Sequence, residues 1–348
     1  MNNSVPIIIL SGFLGSGKTT LLTKLLEHYT KSGKRPALIM NEVGDVNLDG
    51  QLVEDSVPMR EMLSGCICCS IRGDLGMEIQ KLIEESDPDL IFIEATGVAN
   101  PMEILDAVTE AALLVRIEIQ ATVAVVDAPH FLHWRGKGEG RTYRLMKDQI
   151  RCASLIVLNK TDCVQGEELQ LLAQAAREIN AHAFIRTTAF CEVDPALLEL
   201  PFQKESLAMS TSETLQAPHQ ESKTACCHND EKNHAKPHQH HDLEPKEHHH
   251  NHHHHSHDHV MVCTHYFEQP IEPSRLEEII RKLPDNVYRG KGIFTSAETG
   301  ERVLFQFAYR QVEFVTIRPQ GNVQDVAVFM GEQFSRANLM ADLESLVR

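Results

Sequence analysis

The stretch Ile7–Thr20, IIILSGFLGSGKTT, decides the fold of the amino-terminal half. Gly12, Gly17, Lys18 and Thr19 stand at the spacing G-x-x-x-x-G-K-[ST]. Its glycines let successive backbone N–H groups turn inward onto phosphate oxygens. Ile7–Leu10 is an apolar run that reads as a buried strand, and Leu21, Leu22, Leu25, Leu26 and Tyr29 recur at helical spacing. A strand, a Gly-rich turn and a helix are the setting such a loop needs, and the helix N-terminus adds partial positive charge. The expected nucleotide-binding set is Gly12, Gly15, Ser16, Gly17, Lys18, Thr19 and Thr20. Lys18 would reach the β- and γ-phosphates as a catalytic group, and the Thr19 hydroxyl would hold Mg²⁺.

From Ile7 to about Phe202 the pattern alternates strand and helix. Strands are expected at Ile7–Leu10, Pro36–Met40, Leu90–Ile93, Thr122–Val126, Leu155–Leu158 and Ala183–Thr187, with helices between them that include Leu75–Glu85 and Glu167–Ile179. Near-continuous apolar strands suit a parallel sheet covered on both faces. The predicted fold is therefore α/β, a doubly wound, mostly parallel sheet over residues 1–203, with ligands at the carboxyl ends of its strands. From residue 204 to 259 Ser, Thr, Gln, Glu, Lys and His dominate with almost no large apolar residues, a composition too polar to offset its ordering entropy, so a disordered linker is expected. Periodicity returns over 260–348. Strands are expected at Val260–Phe267, Gly292–Thr295, Val303–Phe307, Val312–Ile317 and Val326–Met330. Helices are expected at Ser274–Leu283 and after Ser335, giving a small α+β domain.

The 348-residue chain has a net charge of −16 with His neutral, which argues against nucleic acid or an anionic membrane as partner. It has no apolar run of the ~18 residues a membrane span needs. No basic region precedes the first strand, so no signal peptide is read. Nine Cys, three of them within four positions, do not form a secreted disulfide framework and suit a reducing cytoplasm.

Asn159-Lys160-Thr161-Asp162 follows the apolar run Leu155–Leu158. Asp162 there can accept two hydrogen bonds from guanine that adenine cannot offer, which favours GTP over ATP. Leu90–Ile93 ends in Glu94, with Gly97 three residues on. Glu94 is expected to act on Mg²⁺ or the attacking water, with the Gly97 N–H near the γ-phosphate. Glu42 ends the second strand, where a mobile loop could meet the γ-phosphate and Mg²⁺; Asp45 and Asp49 beyond it read equally as solvated acids.

Cys66, Cys68 and Cys69 can give one ion three soft ligands, with a Glu, His or water as the fourth. A disulfide between the adjacent Cys68 and Cys69 would be strained. Cys152, Cys163, Cys191 and Cys263 are scattered and read as core or surface thiols, and nothing is assigned to His130, His133 or Trp134. Of twenty His, fifteen lie between His219 and His259, a density that chelates Zn²⁺, Ni²⁺, Co²⁺ or Cu²⁺ weakly and suggests collection rather than one shaped site.

Together these segments resemble the CobW family of metal-handling P-loop GTPases. The resemblance rests on GFLGSGKTT (Gly12–Thr20), the NE-x-G segment (Asn41–Gly44), GCICC (Gly65–Cys69), Glu94–Gly97, NKTD (Asn159–Asp162) and RGKG (Arg289–Gly292). The His-rich insertion is similar to that of members regarded as zinc chaperones. The resemblance implies slow GTP hydrolysis with Mg²⁺ and a metal site at Cys66, Cys68 and Cys69. It also implies delivery of a transition metal, Zn²⁺ or alternatively Co²⁺, to a client metalloprotein. A homo-oligomer is compatible with this. Other readings stay open: cobalt delivery for cobalamin synthesis, or a zinc or nickel buffer whose nucleotide site is vestigial.

Overall fold

The computed structural model describes residues 4–40, 57–61, 71–138, 140–199 and 260–347. The apolar runs of the amino-terminal half become β1 (Val5–Ser11), β2 (Pro36–Met40), β3 (Met59–Glu61), β4 (Leu90–Glu94), β5 (Ile117–Asp127), β6 (Leu155–Asn159) and β7 (Phe184–Thr187). They form one seven-stranded sheet in the order β3-β2-β4-β1-β5-β6-β7, and every pairing is parallel. Between the strands run α1 (Lys18–Lys31), α2 (Ile71–Ser86), α3 (Pro101–Ala111), α4 (Ala128–Lys137), α5 (Arg141–Arg151), α6 (Gly166–Ile179) and the short α7 (Ala196–Glu199).

The strands are apolar on both faces because both faces are covered. Ile8, Leu10, Leu38, Phe92, Val123 and Val157 join Leu21, Leu22, Leu25, Leu26 and Tyr29 of α1 in one core. Their neighbours in sequence, Ile7, Ile9, Ile39, Ile91 and Ile93, turn the other way onto Leu75 and Ile79 of α2 and Ile104, Leu105 and Val108 of α3. Farther along the sheet, Ala124, Val126, Ile156 and Leu158 meet Phe131, Ile150 and Leu172 of the next three helices.

The carboxyl-terminal half forms β8 (Val260–Tyr266), α8 (Pro273–Lys282), β9 (Val287–Thr295), β10 (Arg302–Ala308), β11 (Gln311–Ile317), β12 (Val326–Glu332) and α9 (Arg336–Glu344). Its sheet is antiparallel, ordered β11-β10-β9-β12-β8. The Ser335 hydroxyl accepts from the Asn338 N–H and starts α9 as the sequence predicts. One face carries Phe294, Phe305 and Phe329 against Leu276 and Ile280 of α8 and Leu339 and Leu343 of α9. The other face carries Val326, Val328 and Met330 into the same core as Ile7, Leu105 and Val108.

This two-sided arrangement explains the run RGKG. Arg289 pairs with Asp106 of α3, and Lys291 donates to the Asp106 carbonyl at 3.2 Å, so these two face the parallel-sheet half. Gly290 and Gly292 face the phenylalanines, where an added Cβ would come within 2.8 Å of Phe329 and 2.4 Å of Phe305. The Tyr266 hydroxyl closes the junction, accepting from the Ile117 N–H and donating to the Ile117 carbonyl, each at 2.8 Å.

The largest differences from the sequence reading among the strands are three. β5 begins at Ile117 rather than Thr122, because Ile117–Ile119 continue the pairing with β1 despite their alternating polarity, with Gln120 bulged out of the register. β9 begins at Val287 rather than Gly292, the intervening residues being hidden from a pattern search by Arg289, Lys291 and the glycines. β3, a three-residue edge strand, is too short for periodicity to find.

Candidate nucleotide site

Strand register brings the expected residues to one edge of the parallel sheet. Leu10 pairs with Glu94 on one side and Val123 on the other, and Asp127 pairs with Asn159. The loop after β1, the carboxylate ending β4, the carboxylate ending β5 and the amide ending β6 therefore share the carboxyl edge, where a doubly wound sheet binds its ligand.

Lys18 is 4% exposed, and its ammonium arches back over the loop to the carbonyls of Gly12 at 2.9 Å and Phe13 at 3.3 Å. The Thr19 hydroxyl donates to Glu94 Oε1 at 3.3 Å, and Glu94 is 3% exposed. The Ser16 hydroxyl is buried and has no hydrogen-bond partner among the described residues. Thr20, expected with the phosphate set, is exposed on the first turn of α1. Gly97 lies against the phosphate loop, where an added Cβ would stand 2.6 Å from the Leu14 nitrogen. The buried Gln149 side chain of α5 donates to the Gly97 carbonyl at 3.3 Å.

Asn159 ties the other end of the site to the loop. Its Nδ2 donates to the Ser16 carbonyl at 2.8 Å, and its Oδ1 accepts from the Cys191 N–H at 2.9 Å. Gly17 has φ +109°, and an added Cβ would meet Asn159 Nδ2 at 2.5 Å and Cys191 Sγ at 2.8 Å. Only glycine satisfies both the backbone angle and the space. Lys160 takes φ +61°, which turns the chain into a short 3₁₀ turn over Thr161–Cys163 and leaves Asp162 exposed. Burial pushes the Cys191 thiol up to about 11, with Lys24 and Lys160 opposing, so it is neutral at physiological pH.

The residues brought together are thus Lys18, Thr19 and Glu94 at the carboxyl ends of β1 and β4, and Asn159, Lys160 and Asp162 at the carboxyl end of β6. Glu42, Asp45, Asp49, Cys66, Cys68, Cys69 and the His tract lie outside the described residues. Among the described residues no cluster of His, Cys, Asp and Glu is placed to hold a metal ion. Nor is any described helix long and apolar enough to cross a membrane.

Sequence reasoning passed over Asp127, Gln149 and Cys191. Asp127 carried the same signal as Glu94, an acid at the end of an apolar strand. Cys191, read as a scattered thiol, gave no signal, because its role depends on the loop after β7 returning to Gly17. His130 and Trp134, to which the sequence assigned nothing, lie on α4, where His130 sits edge-on to Phe13 of the loop after β1 at 5.5 Å.

The donor set fits a nucleoside triphosphate with Mg²⁺. A hydroxyl and a buried carboxylate 3.3 Å apart are hard oxygen ligands of the kind Mg²⁺ takes. Over residues 6–186 the chain matches the CobW/HypB/UreG nucleotide-binding domain. The chain belongs to the CobW/HypB/UreG family. Residues 260–347 match the carboxyl-terminal domain of the cobalamin synthesis protein cobW. Curated relatives in this family include the zinc chaperone YeiR of Escherichia coli, 33% identical over 194 residues that cover 56% of this chain and 58% of YeiR. The zinc-regulated GTPase metalloprotein activator 1 of Dictyostelium discoideum is 31% identical over 53% of this chain and 46% of its own length. The chain thus spans about half the length of the curated relatives it matches. Among solved structures, the Zn(II)-bound YjiA GTPase of E. coli aligns over 99% of both chains at 23% identity with a TM-score of 0.46.

Proposed function

We propose that the chain hydrolyses GTP with Mg²⁺ and carries a transition metal, zinc in the first place, to a client metalloprotein. The observation that carries this is the pairing of Thr19 with Glu94 on one sheet edge with Asn159, which spans Ser16 and Cys191. A phosphate end and a base-reading end are thereby held by one loop. The names of the zinc-chaperone relatives support zinc as the cargo.

In this reading Lys18 exchanges its loop carbonyls for β- and γ-phosphate oxygens, a stronger charge-assisted pairing. Thr19 and Glu94 would hold Mg²⁺, which neutralises charge developing on the phosphates. Gly97, fixed by Gln149 and by Leu14, presents backbone at the γ-phosphate side. Asp162 accepts from the guanine edge once a base covers it. Cys66, Cys68 and Cys69 bind the cargo ion as thiolates, and Glu42 links their segment to the γ-phosphate. The His tract collects metal, and the client receives it when hydrolysis loosens the grip.

The deciding experiment is GTP turnover with and without Zn²⁺ or Co²⁺, with ATP as control, on the full chain and on Cys66→Ala. Metal-stimulated turnover that Cys66→Ala abolishes is expected. Zn²⁺ affinity with a GTP analogue must also exceed that with GDP, and by linkage Zn²⁺ must tighten GTP binding by the same factor. Equal affinities would leave a metal buffer with an idle nucleotide site.

A further inference from the structure

Asp127 ends β5 and is the N-cap of α4, its Oδ1 accepting from the His130 N–H at 2.9 Å. Capping needs only one neutral acceptor. The second oxygen, Oδ2, lies 2.6 Å from Lys160 Nζ, with the aspartate side chain 14% and the lysine side chain 39% exposed. Lys160 is also the residue held in the left-handed region, at φ +61°, a conformation strained for a non-glycine residue. Such a backbone persists where surrounding bonds over-determine it. Here Asn159 is fixed by Ser16 and Cys191, and the Thr161 N–H donates to the Thr188 carbonyl. The free end of the lysine is fixed by Asp127. A four-methylene stem is thereby anchored at both ends, two residues before the exposed Asp162.

We propose that Asp127 is a positioning residue for the guanine nucleotide: it holds the Lys160 stem as a preformed wall for the base, and its capping of α4 is a separate task. This rests on the reading that Asn159–Asp162 faces the base. The wall lowers the ordering cost of binding, so its loss weakens affinity more than it slows turnover.

Asp127→Asn separates the two tasks, since asparagine caps as well as aspartate but carries no charge for Lys160. The chain's one tryptophan, Trp134, donates to His130 Nε2 on α4 and reports by its emission whether the cap is intact. With a fluorescent GDP analogue, Asp127→Asn is expected to raise Kd about five- to tenfold. KM for GTP should rise alike, with kcat nearly unchanged and Trp134 emission unaltered. Lys160→Met should weaken binding by a similar factor, and adding Asp127→Asn to it should cost nothing further. If Lys160→Met weakens binding and Asp127→Asn does not, or if the two effects add, the positioning role is overturned while the base-reading segment stands. If Lys160→Met binds as the parent does, that segment is misplaced and the proposal falls with it. Should Asp127→Asn shift the emission, Asp127→Ser, a shorter cap, run through the same cycle decides by its coupling to Lys160→Met.

Discussion

The ammonium of Lys291 on β9 lies 3.2 Å from the carboxylate of Glu110 on α3, at a position only 8% exposed. Burial holds this lysine below the ordinary range for its type, against the opposing pull of Glu110 and Asp106. The pair joins the antiparallel sheet to the helix that begins seven residues after Glu94. Lys291→Met keeps the apolar stem but takes the ammonium from the Glu110 carboxylate and the Asp106 carbonyl, and is expected to cost about 1–2 kcal/mol. Lys291→Glu sets a like charge beside two carboxylates and should cost about 3 kcal/mol or more. Urea unfolding of the two variants checks the difference.

Glu94→Gln keeps an acceptor for the Thr19 hydroxyl and removes the charge. GTP turnover is expected to fall by roughly 10²-fold or more, with a raised Mg²⁺ requirement. A Mg²⁺ titration of turnover is the measurement, and an unchanged titration curve would place the metal elsewhere.

Gly97→Ala puts a methyl where the Leu14 nitrogen and the Phe13 carbonyl carbon stand at 2.6 and 3.2 Å, both backbone atoms that cannot rotate away. The phosphate loop must shift, and misplacement of this order costs about 10²-fold in turnover. Single-turnover hydrolysis set beside GDP affinity should show a larger loss in the first than in the second.

His265 is 9% exposed, packs edge-on to Phe267 at 4.9 Å, and is held below its ordinary value of 6.5 by burial, with Glu344 and Glu268 opposing. The unfolded chain therefore takes up this proton at a higher pH than the folded one. The stability His265 contributes is complete above 6.5 and is lost as pH falls through the lower folded value. Urea midpoints at pH 7.5 and 5.5 should fall in that direction, and His265→Asn should flatten the difference.

Cys163 is exposed, whereas Cys152, Cys191 and Cys263 are buried, with burial raising all three thiols. Iodoacetamide with peptide mapping should label Cys163 first among these four. The other three should react only on unfolding, since both access and thiolate fraction are suppressed.

The parallel half was legible because its strands and its chemistry obey local rules. Ile7–Leu10 and Leu155–Leu158 are apolar throughout, and each is followed by the residue types its ligand requires. The carboxyl-terminal sheet was legible where one face is wetter: Val303, Phe305 and Phe307 are buried and alternate with Leu304, Gln306 and Ala308. Where α3 covers the second face the alternation changes meaning. Arg289 and Lys291 then look like surface residues although their partners Asp106 and Glu110 lie some 180 positions away. Cys191 failed for the same reason: its contacts with Asn159 and Gly17 are brought by strand order, which no local pattern encodes, whereas Asp127 did carry a local signal at the end of β5.

β5 runs eleven residues, tied by the Tyr266 hydroxyl at Ile117 and by Lys160 at Asp127. Such a strand spans roughly 33 Å and neither stretches nor shortens. The loop around Lys160 and the antiparallel sheet thus stand at opposite ends of a fixed ruler. A partner that touches both must bridge that span along the flank of the molecule; one small enough to settle at a single end meets only half of what this chain displays.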